Sequence, residues 1–205
     1  MNDTMPELQG LVLAGGYSRR MKRDKASLVY SATGEPQWRI TARLLQKVTG
    51  TVRISVRPRQ LLEGHQPGDP ELMPDQGNSD GPLTGILTAL RSRPDKALLV
   101  VACDLPLLSG DILEALIAAR GQSMAVAFQS SSDGLPEPLC AIYEPAMAGI
   151  LGKYLLQNIR CPRKILIREE SAVKLLQLPR AEALENANTP EDFERLSTVL
   201  ASRKS

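Results

Sequence analysis

The run Ala97–Ala102, ALLVVA, constrains the fold more than any other part of this sequence. Six consecutive apolar residues are typical of a central parallel strand that helices cover on both faces. A second short apolar run, Leu8–Leu13, ends at Ala14-Gly15-Gly16, as a buried strand does where it enters a tight loop. The two runs predict a sheet whose central strands are buried on both sides.

Helical spacing and helix-start residues place helices between the strands. The predicted helices begin at residue 36, at Gly81-Pro82, at the cap residue Ser109 and at Thr189-Pro190-Glu191-Asp192. The apolar faces of the first two helices are Trp38, Ala42, Leu45 and Val48, and Leu83, Ile86, Leu87 and Leu90. Those of the last two are Ile112, Leu113, Leu116 and Ile117, and Phe193, Leu196 and Leu200. Further strands are predicted at 51–56, 123–128 and 139–143. Strands that alternate with helices predict one α/β domain over residues 1–205, with a mostly parallel sheet and helices on both faces.

The composition argues against several classes of protein. Because the net charge is only +2 and aromatic residues are 3% of the chain, we expect no nucleic-acid binding by base stacking. The sequence has no stretch of about 18 apolar residues and no signal-peptide pattern at its start, so we expect no membrane segment. The cysteines Cys103, Cys140 and Cys161 form no CxxC pair, which favours a reduced, cytoplasmic compartment over a zinc ribbon or disulfide scaffold.

The glycines after the first predicted strand form the first candidate site. Open α/β sheets bind ligands at this position, and Gly15 and Gly16 allow the backbone to approach phosphate oxygens closely. Arg20 and Lys25 add positive charge within reach of a triphosphate. The pattern is neither a Walker loop nor a dinucleotide GxGxxG loop. A plain structural turn is the competing interpretation, although it does not explain the basic residues.

Two further clusters follow later strands. Asp75 and the Gly81 backbone precede the helix at Pro82, where they form either an ordinary turn and cap or a contact with the base or ribose. Asp104 ends the central strand, where a carboxylate holds Mg²⁺ beside phosphates or caps the next turn. All three clusters are expected at the same edge of a parallel sheet.

Four motifs occur in order between Leu11 and about Leu196: LAGGYSRRMKRDK, DGPLTGI, ACDLPLL and NANTPEDF. Together they resemble the motifs of the molybdenum cofactor guanylyltransferases, which belong to the glycine-rich-loop nucleotidyltransferases. The resemblance implies a three-layer Rossmann-like domain that attaches GMP from GTP to the phosphate of molybdenum-bearing molybdopterin and releases pyrophosphate. It also implies molybdoenzymes or their chaperones as recipients of the product.

The resemblance further implies roles for individual residues. The nucleotide is expected to bind to Leu13, Ala14, Gly15 and Asp75, and its phosphates to Lys25. Mg²⁺ is expected to bind to Asp104, and the pterin to lie near Asn186 and Asn188. A phosphate nucleophile is already anionic at neutral pH, so this reaction needs no histidine base. The only histidine, His65, is accordingly predicted to be a surface-loop residue.

The sequence also departs from the pattern of the family it resembles. Lys22 stands where the family usually has glycine, and Ser55-Val56-Arg57 replaces asparagines that help to bind guanine. Pro136-Glu137-Pro138-Leu139 occupies a stretch in which the family commonly has His-Pro. These departures concern the nucleoside and acceptor sides rather than the type of reaction.

Two other functions therefore stay open. The first is a cytidylyl- or uridylyltransferase that acts on a sugar phosphate, a polyol phosphate or molybdopterin; relatives that use CTP tend to have Ala-Ala-Gly at Ala14-Gly15-Gly16, so this sequence favours guanine. The second is a non-catalytic nucleotide-binding partner in molybdoenzyme maturation. Retention of Lys25 and Asp104 argues against it.

Overall fold

The computed structural model describes residues 5–18, 23–30, 34–76, 81–187 and 189–202; for residues 17, 18, 23–25 and 190 only the backbone is described. The strands are β1 Leu8–Leu13, β2 Tyr17–Ser18, β3 Arg23–Asp24, β4 Val52–Val56, β5 Glu71–Pro74, β6 Ala97–Ala102, β7 Ala125–Gln129, β8 Pro136–Tyr143 and β9 Val173–Leu176. The α-helices are α1 Gln37–Thr49, α2 Pro82–Ser92, α3 Gly110–Ala118, α4 Met147–Leu156, α5 Pro162–Arg168 and α6 Pro190–Ser202.

Seven of these strands form one sheet in the order β5-β4-β1-β6-β8-β7-β9. Strand β8 is antiparallel to both of its neighbours, whereas the other strand pairs in this sheet are parallel. Strands β2 and β3 form a separate antiparallel pair. The prediction of a mostly parallel sheet is confirmed.

Helices cover the sheet on both faces, as the apolar runs predict. Successive residues of β1 and β6 enter opposite core layers: Val12 and Val101 pack with α1 and α3, while Leu11 and Val100 pack with α2 and α4. Both strands are buried along their whole length. Burial on both sides is the physical reason that their sequences are apolar without alternation.

The ends of two helices test the capping predictions. At α6, the Asp192 backbone N–H donates to Thr189 Oγ1 at 3.2 Å and the Thr189 N–H donates to Asp192 Oδ2 at 3.1 Å, which confirms the predicted helix start. Helix α3 begins after Ser109 as predicted, but the predicted side-chain cap is wrong, because the Ser109 side chain makes no cap hydrogen bond. Its hydroxyl instead donates to Asp111 Oδ1 at 2.6 Å and accepts from the Arg180 guanidinium.

Other features differ from the sequence-based expectations or add to them. Strands β5 and β9 and helices α4 and α5 were not predicted. His65 lies in a loop as expected, but it is half-buried with its ring 5.8 Å from the Trp38 ring. The three cysteines all lie in the described ranges, and none of them forms a disulfide. Over the described ranges, no helix has the length and apolar character needed to cross a membrane.

Candidate active site

The carboxyl ends of β1, β4 and β6 bring the predicted clusters to one edge of the sheet. Leu13, the last residue of β1, pairs with Ser55 in β4 and with Ala102 in β6. Beyond the strand, the Ala14 N–H donates to Ser55 O at 2.9 Å and the Cys103 N–H donates to Leu13 O at 3.2 Å. The Ala14-Gly15-Gly16 turn and Asp104 therefore leave the sheet from adjacent strands.

A glutamine that the sequence analysis did not single out fixes the glycine turn. Gln60 Nε2 donates to Ala14 O at 3.0 Å, and Gln60 Oε1 accepts from the Arg57 N–H at 2.9 Å. A Cβ on Gly15 would lie 3.5 Å from Arg57 Cγ and 3.7 Å from Asp75 Oδ2, whereas Gly16 faces open space. One side of the turn thus contacts the residues that follow β4 and β5, and the other side is open to a ligand.

Asp75 follows β5 directly and is held by a hydrogen bond from the neighbouring strand, β4. The buried Ser55 hydroxyl donates to Asp75 Oδ1 at 2.6 Å, and the Asp75 N–H donates to Val56 O at 2.9 Å. Burial raises the pKa of the Asp75 carboxyl, and the hydrogen bond from Ser55 opposes this rise. The Ser55 hydroxyl therefore fixes this carboxylate against Gly15, where a ligand on the glycine turn would meet it.

The raised pKa gives Asp75→Asn an unusual expected effect on stability. The folded protein holds the Asp75 proton more tightly than the unfolded chain, so stability falls as the pH rises through the folded pKa and stays lower above it. We expect Asp75→Asn to raise the free energy of unfolding at pH 7.5, with the gain shrinking towards about pH 4, near the unfolded pKa. Urea titrations at both pH values measure this.

Asp69→Asn is the matched control. Asp69 pairs with Arg39 at 2.7 Å, and the hydrogen bond from Arg39 lowers the pKa of the Asp69 carboxyl. A lowered pKa stabilises the fold above the unfolded value, so Asp69→Asn should destabilise the protein at pH 7.5. If both variants are destabilised at pH 7.5, the conclusion that burial raises the pKa of Asp75 is contradicted.

Asp104 lies in a cleft of about 270 Å³ beside this edge. The residues that line the cleft are Pro82, Ala102, Asp104, Leu105, Glu137, Pro138, Leu139, Cys140, Cys161, Pro162, Arg163, Leu184 and Asn186. The structure thus places Asn186 and Asp104 in the wall of the same cleft. Gly81 directly precedes Pro82 and starts α2 with φ +115°, a conformation that favours glycine.

Glu137, Cys161 and Arg163 also line the cleft. Of these three, only Glu137 has a signal in the sequence, because it lies in the stretch where the family commonly has His-Pro. Arg163 Nη2 lies 2.8 Å from Glu137 Oε2, and Arg163 Nη1 lies 3.1 Å from Asp133 Oδ2. Arg163 has no comparable signal, because it lies in α5, a helix of only seven residues.

Some predicted site residues lie outside the described part of the chain. Arg20, Lys22 and Asn188 are not described, and of Lys25 only the backbone is, as the first residue of a 3₁₀ turn, Lys25–Ser27. The roles expected for these residues stay predictions.

The donor groups in the cleft fit Mg²⁺ that arrives with a nucleotide. Mg²⁺ is usually held by one or two carboxylates together with substrate phosphates and water, rather than by an all-protein cage. Asp104 offers a carboxylate and Asn186 an amide oxygen in the same cleft. In the ranges that the structure describes, no three His, Cys, Asp or Glu side chains are grouped as a ready-made metal site.

A glycine turn after β1, a held carboxylate after β5 and a carboxylate after β6 define an α/β nucleotide-binding domain with its site at the carboxyl edge of the sheet. The chain belongs to the MobA-like NTP transferase domain family, whose model matches residues 10–173. It is a nucleotidyltransferase of molybdenum cofactor biosynthesis.

The names of two similar proteins agree with this family. The chain is 37% identical to a molybdenum cofactor biosynthesis bifunctional protein of Synechocystis sp. over 93% of its own length, but it spans only about half, 54%, of that relative. It is 30% identical to a probable molybdenum cofactor guanylyltransferase of Mycobacterium avium over 98% of this chain and 100% of that protein.

A solved structure shares the fold. Molybdopterin-guanine dinucleotide biosynthesis protein A from Archaeoglobus fulgidus superposes with a TM-score of 0.73 at 23% identity, over 95% of this chain and 99% of that one. This similarity confirms the predicted Rossmann-like fold.

Proposed function

We propose that this chain, as one catalytic domain, transfers GMP from GTP to the phosphate of molybdenum-bearing molybdopterin and releases pyrophosphate. The observation that carries the proposal is the meeting of the glycine turn, Asp75 and the Asp104 cleft at one sheet edge. The nucleotide lies on the turn, and the acceptor occupies the cleft on the other side of Asp104.

The chemistry is a displacement at phosphorus. An oxygen of the acceptor phosphate forms a bond to the α-phosphorus of GTP, the bond from that phosphorus to the bridging oxygen breaks, and pyrophosphate leaves with the electron pair. Asp104, with Asn186 nearby, would hold Mg²⁺, which would neutralise charge at the phosphates. Backbone amides of Gly15 and Gly16, with Arg20 and Lys25, hold the triphosphate in line.

Asp75 supports the choice of guanine. Guanine presents two adjacent N–H donors, N1–H and the exocyclic amine, to a carboxylate, and cytosine lacks this pair. Ser55 fixes the carboxylate, and its second oxygen lies near the glycine turn. A buried acceptor left unpaired by the wrong base costs roughly 1–3 kcal/mol, which corresponds to about tenfold to a hundredfold discrimination.

We therefore expect GTP to be used over CTP by at least about tenfold when both compete at equal concentration. The test incubates the protein with each triphosphate, Mg²⁺ and molybdenum-loaded molybdopterin, and then with GTP and CTP together, and identifies the dinucleotide product. A cytosine dinucleotide as the main product assigns the chain to the CTP-using enzymes, a choice that Arg57 beside the turn would then explain. Absence of pyrophosphate with every triphosphate favours the non-catalytic partner.

We also propose that the product passes to molybdoenzymes or their chaperones in the cytoplasm. The three cysteines outside disulfides support a reducing compartment. No contact with such a partner is needed for the transfer itself.

A further inference from the structure

Glu137 and Arg163 form a charged pair in the wall of the Asp104 cleft. Glu137 lies in β8 and Arg163 in the first turn of α5, with 2.8 Å between Glu137 Oε2 and Arg163 Nη2. About a quarter of the Glu137 side chain, 24%, is exposed. The nucleotide side of the site described above uses neither residue.

The pair is arranged to hold the carboxylate in one orientation. Arg163 Nη1 also lies 3.1 Å from Asp133 Oδ2, but the Asp133 side chain is exposed, so this second pair contributes little to the orientation of the guanidinium. An ionised carboxylate accepts about four hydrogen bonds over its two oxygens. Arg163 contacts Glu137 through Oε2, and this leaves the carboxylate with acceptor capacity for a ligand, Oε1 above all.

The rest of the cleft wall suits a flat, mostly apolar ring. Its apolar members are Pro82, Ala102, Leu105, Pro138, Leu139, Pro162 and Leu184. A volume of about 270 Å³ lies near the lower end of the range for small-molecule sites, roughly 300–1,000 Å³, so it suits one small heterocycle. A fixed carboxylate in such a wall selects a ring edge with adjacent N–H donors.

We propose that Glu137 recognises the heterocycle of the acceptor by accepting two N–H donors from a 2-amino-4-oxo ring edge, the edge that a pterin shares with guanine. The inference rests on the proposed function for placing the acceptor in this cleft. Asp75 and Glu137 then perform the same recognition on the two substrates, one on each side of Asp104. Arg163 is a positioning residue that orients the Glu137 carboxylate.

The test measures binding and does not require turnover. The probes are 6-hydroxymethylpterin monophosphate and 6-hydroxymethyllumazine monophosphate, which differ in that the lumazine has an oxygen in place of the 2-amino group. Ring fluorescence reports the dissociation constant of each probe for the wild-type protein, Glu137→Gln and Asp133→Asn. Asp133→Asn is the matched control, because Asp133 also pairs with Arg163 but does not line the cleft.

We expect the wild-type protein and Asp133→Asn to bind the pterin at least about tenfold more tightly than the lumazine, because each unpaired buried polar group costs roughly a factor of ten. In Glu137→Gln the dissociation constants of the two probes should differ by no more than about twofold. The reason is that the new amide N–H group faces an N–H donor of the pterin, which it cannot bind.

The proposal is overturned if the wild-type protein binds neither probe or does not prefer the pterin. It is also overturned if Glu137→Gln keeps the wild-type preference for the pterin, or if Glu137→Gln and Asp133→Asn lose that preference equally. The last result means that Glu137 only holds Arg163. A protein that shows the expected ratios but releases no pyrophosphate from GTP and molybdopterin keeps this inference and loses the proposed function.

Discussion

Asp104→Asn should lower kcat by about a hundredfold or more while leaving the protein folded. Asp104 lies two residues beyond Ala102, the last residue of β6, and lines the cleft that we propose for the acceptor. The substitution keeps the shape of the side chain but removes the charge proposed to hold Mg²⁺ beside the phosphates. Losing one such stabilising group in a transition state costs about 10²–10³ in rate.

The affinity for GTP should change much less than kcat, because Asp75 and the glycine turn are untouched. Steady-state pyrophosphate release across a Mg²⁺ titration measures the first quantity, and calorimetry with GTP measures the second. A near-normal kcat at saturating Mg²⁺ removes Asp104 from the mechanism.

Asp95→Asn is the control for this experiment. Asp95 is exposed in the turn before β6, at the opposite end of the strand that leads to Asp104. The two variants therefore remove the same charge from the two ends of one strand. Asp95→Asn should keep wild-type kcat, since the carboxyl edge of a parallel sheet holds the ligands and the amino edge does not.

The central strands and their common edge could be predicted because burial on both faces leaves a continuous apolar signature. Once Ala97–Ala102 and Leu8–Leu13 were assigned as parallel strands, the residues that follow them had to lie side by side. The glycine turn and Asp104 were found this way. The proposed acceptor wall, the part of the cleft formed by Glu137 and Arg163, could not be found by the same reasoning.

The acceptor wall depends on contacts between distant parts of the chain and on weak local signals. Asp133 and Arg163, 30 positions apart, meet only through the packing of α5 against β8. Helix α4 has no side-chain cap at Ala146, and α5 is only seven residues long, so neither has the start and length that identify a helix in a sequence. Arg163 therefore had no predicted position relative to Glu137.

Local signals also failed where a side chain had a better partner than the expected one. Ser109 occupies the cap position of α3, but Asp111 and Arg180 engage its hydroxyl. Ionised partners make stronger hydrogen bonds than a backbone N–H, so the tertiary contact replaces the local one. The hydrogen bond from Ser55 to Asp75 belongs to the same class, because it joins strands that are adjacent only in the folded sheet.

Gly85→Ala should disrupt the nucleotide side of the site without touching a ligand. Gly85 lies in α2, and a Cβ there would overlap Ser55 Oγ and lie 3.1 Å from both Asp75 Oδ1 and Leu13 Cδ2. The helix must move away from the sheet, or Ser55 must rotate and give up its hydrogen bond to Asp75. Overpacking of this kind typically costs roughly 1–3 kcal/mol of stability.

The same displacement should weaken GTP binding by about tenfold or more, because Asp75 loses the hydrogen bond that orients it. The control is Gly149→Ala in α4, where an added Cβ meets no atom within 4 Å. Alanine is favoured over glycine inside a helix by roughly 0.5–1 kcal/mol, so this variant should be as stable as the wild type or more so. Urea unfolding and calorimetry with GTP on both variants separate the two effects. If Gly85→Ala binds GTP as the wild type does, the close approach of α2 to Ser55 and Asp75 has no role in nucleotide recognition.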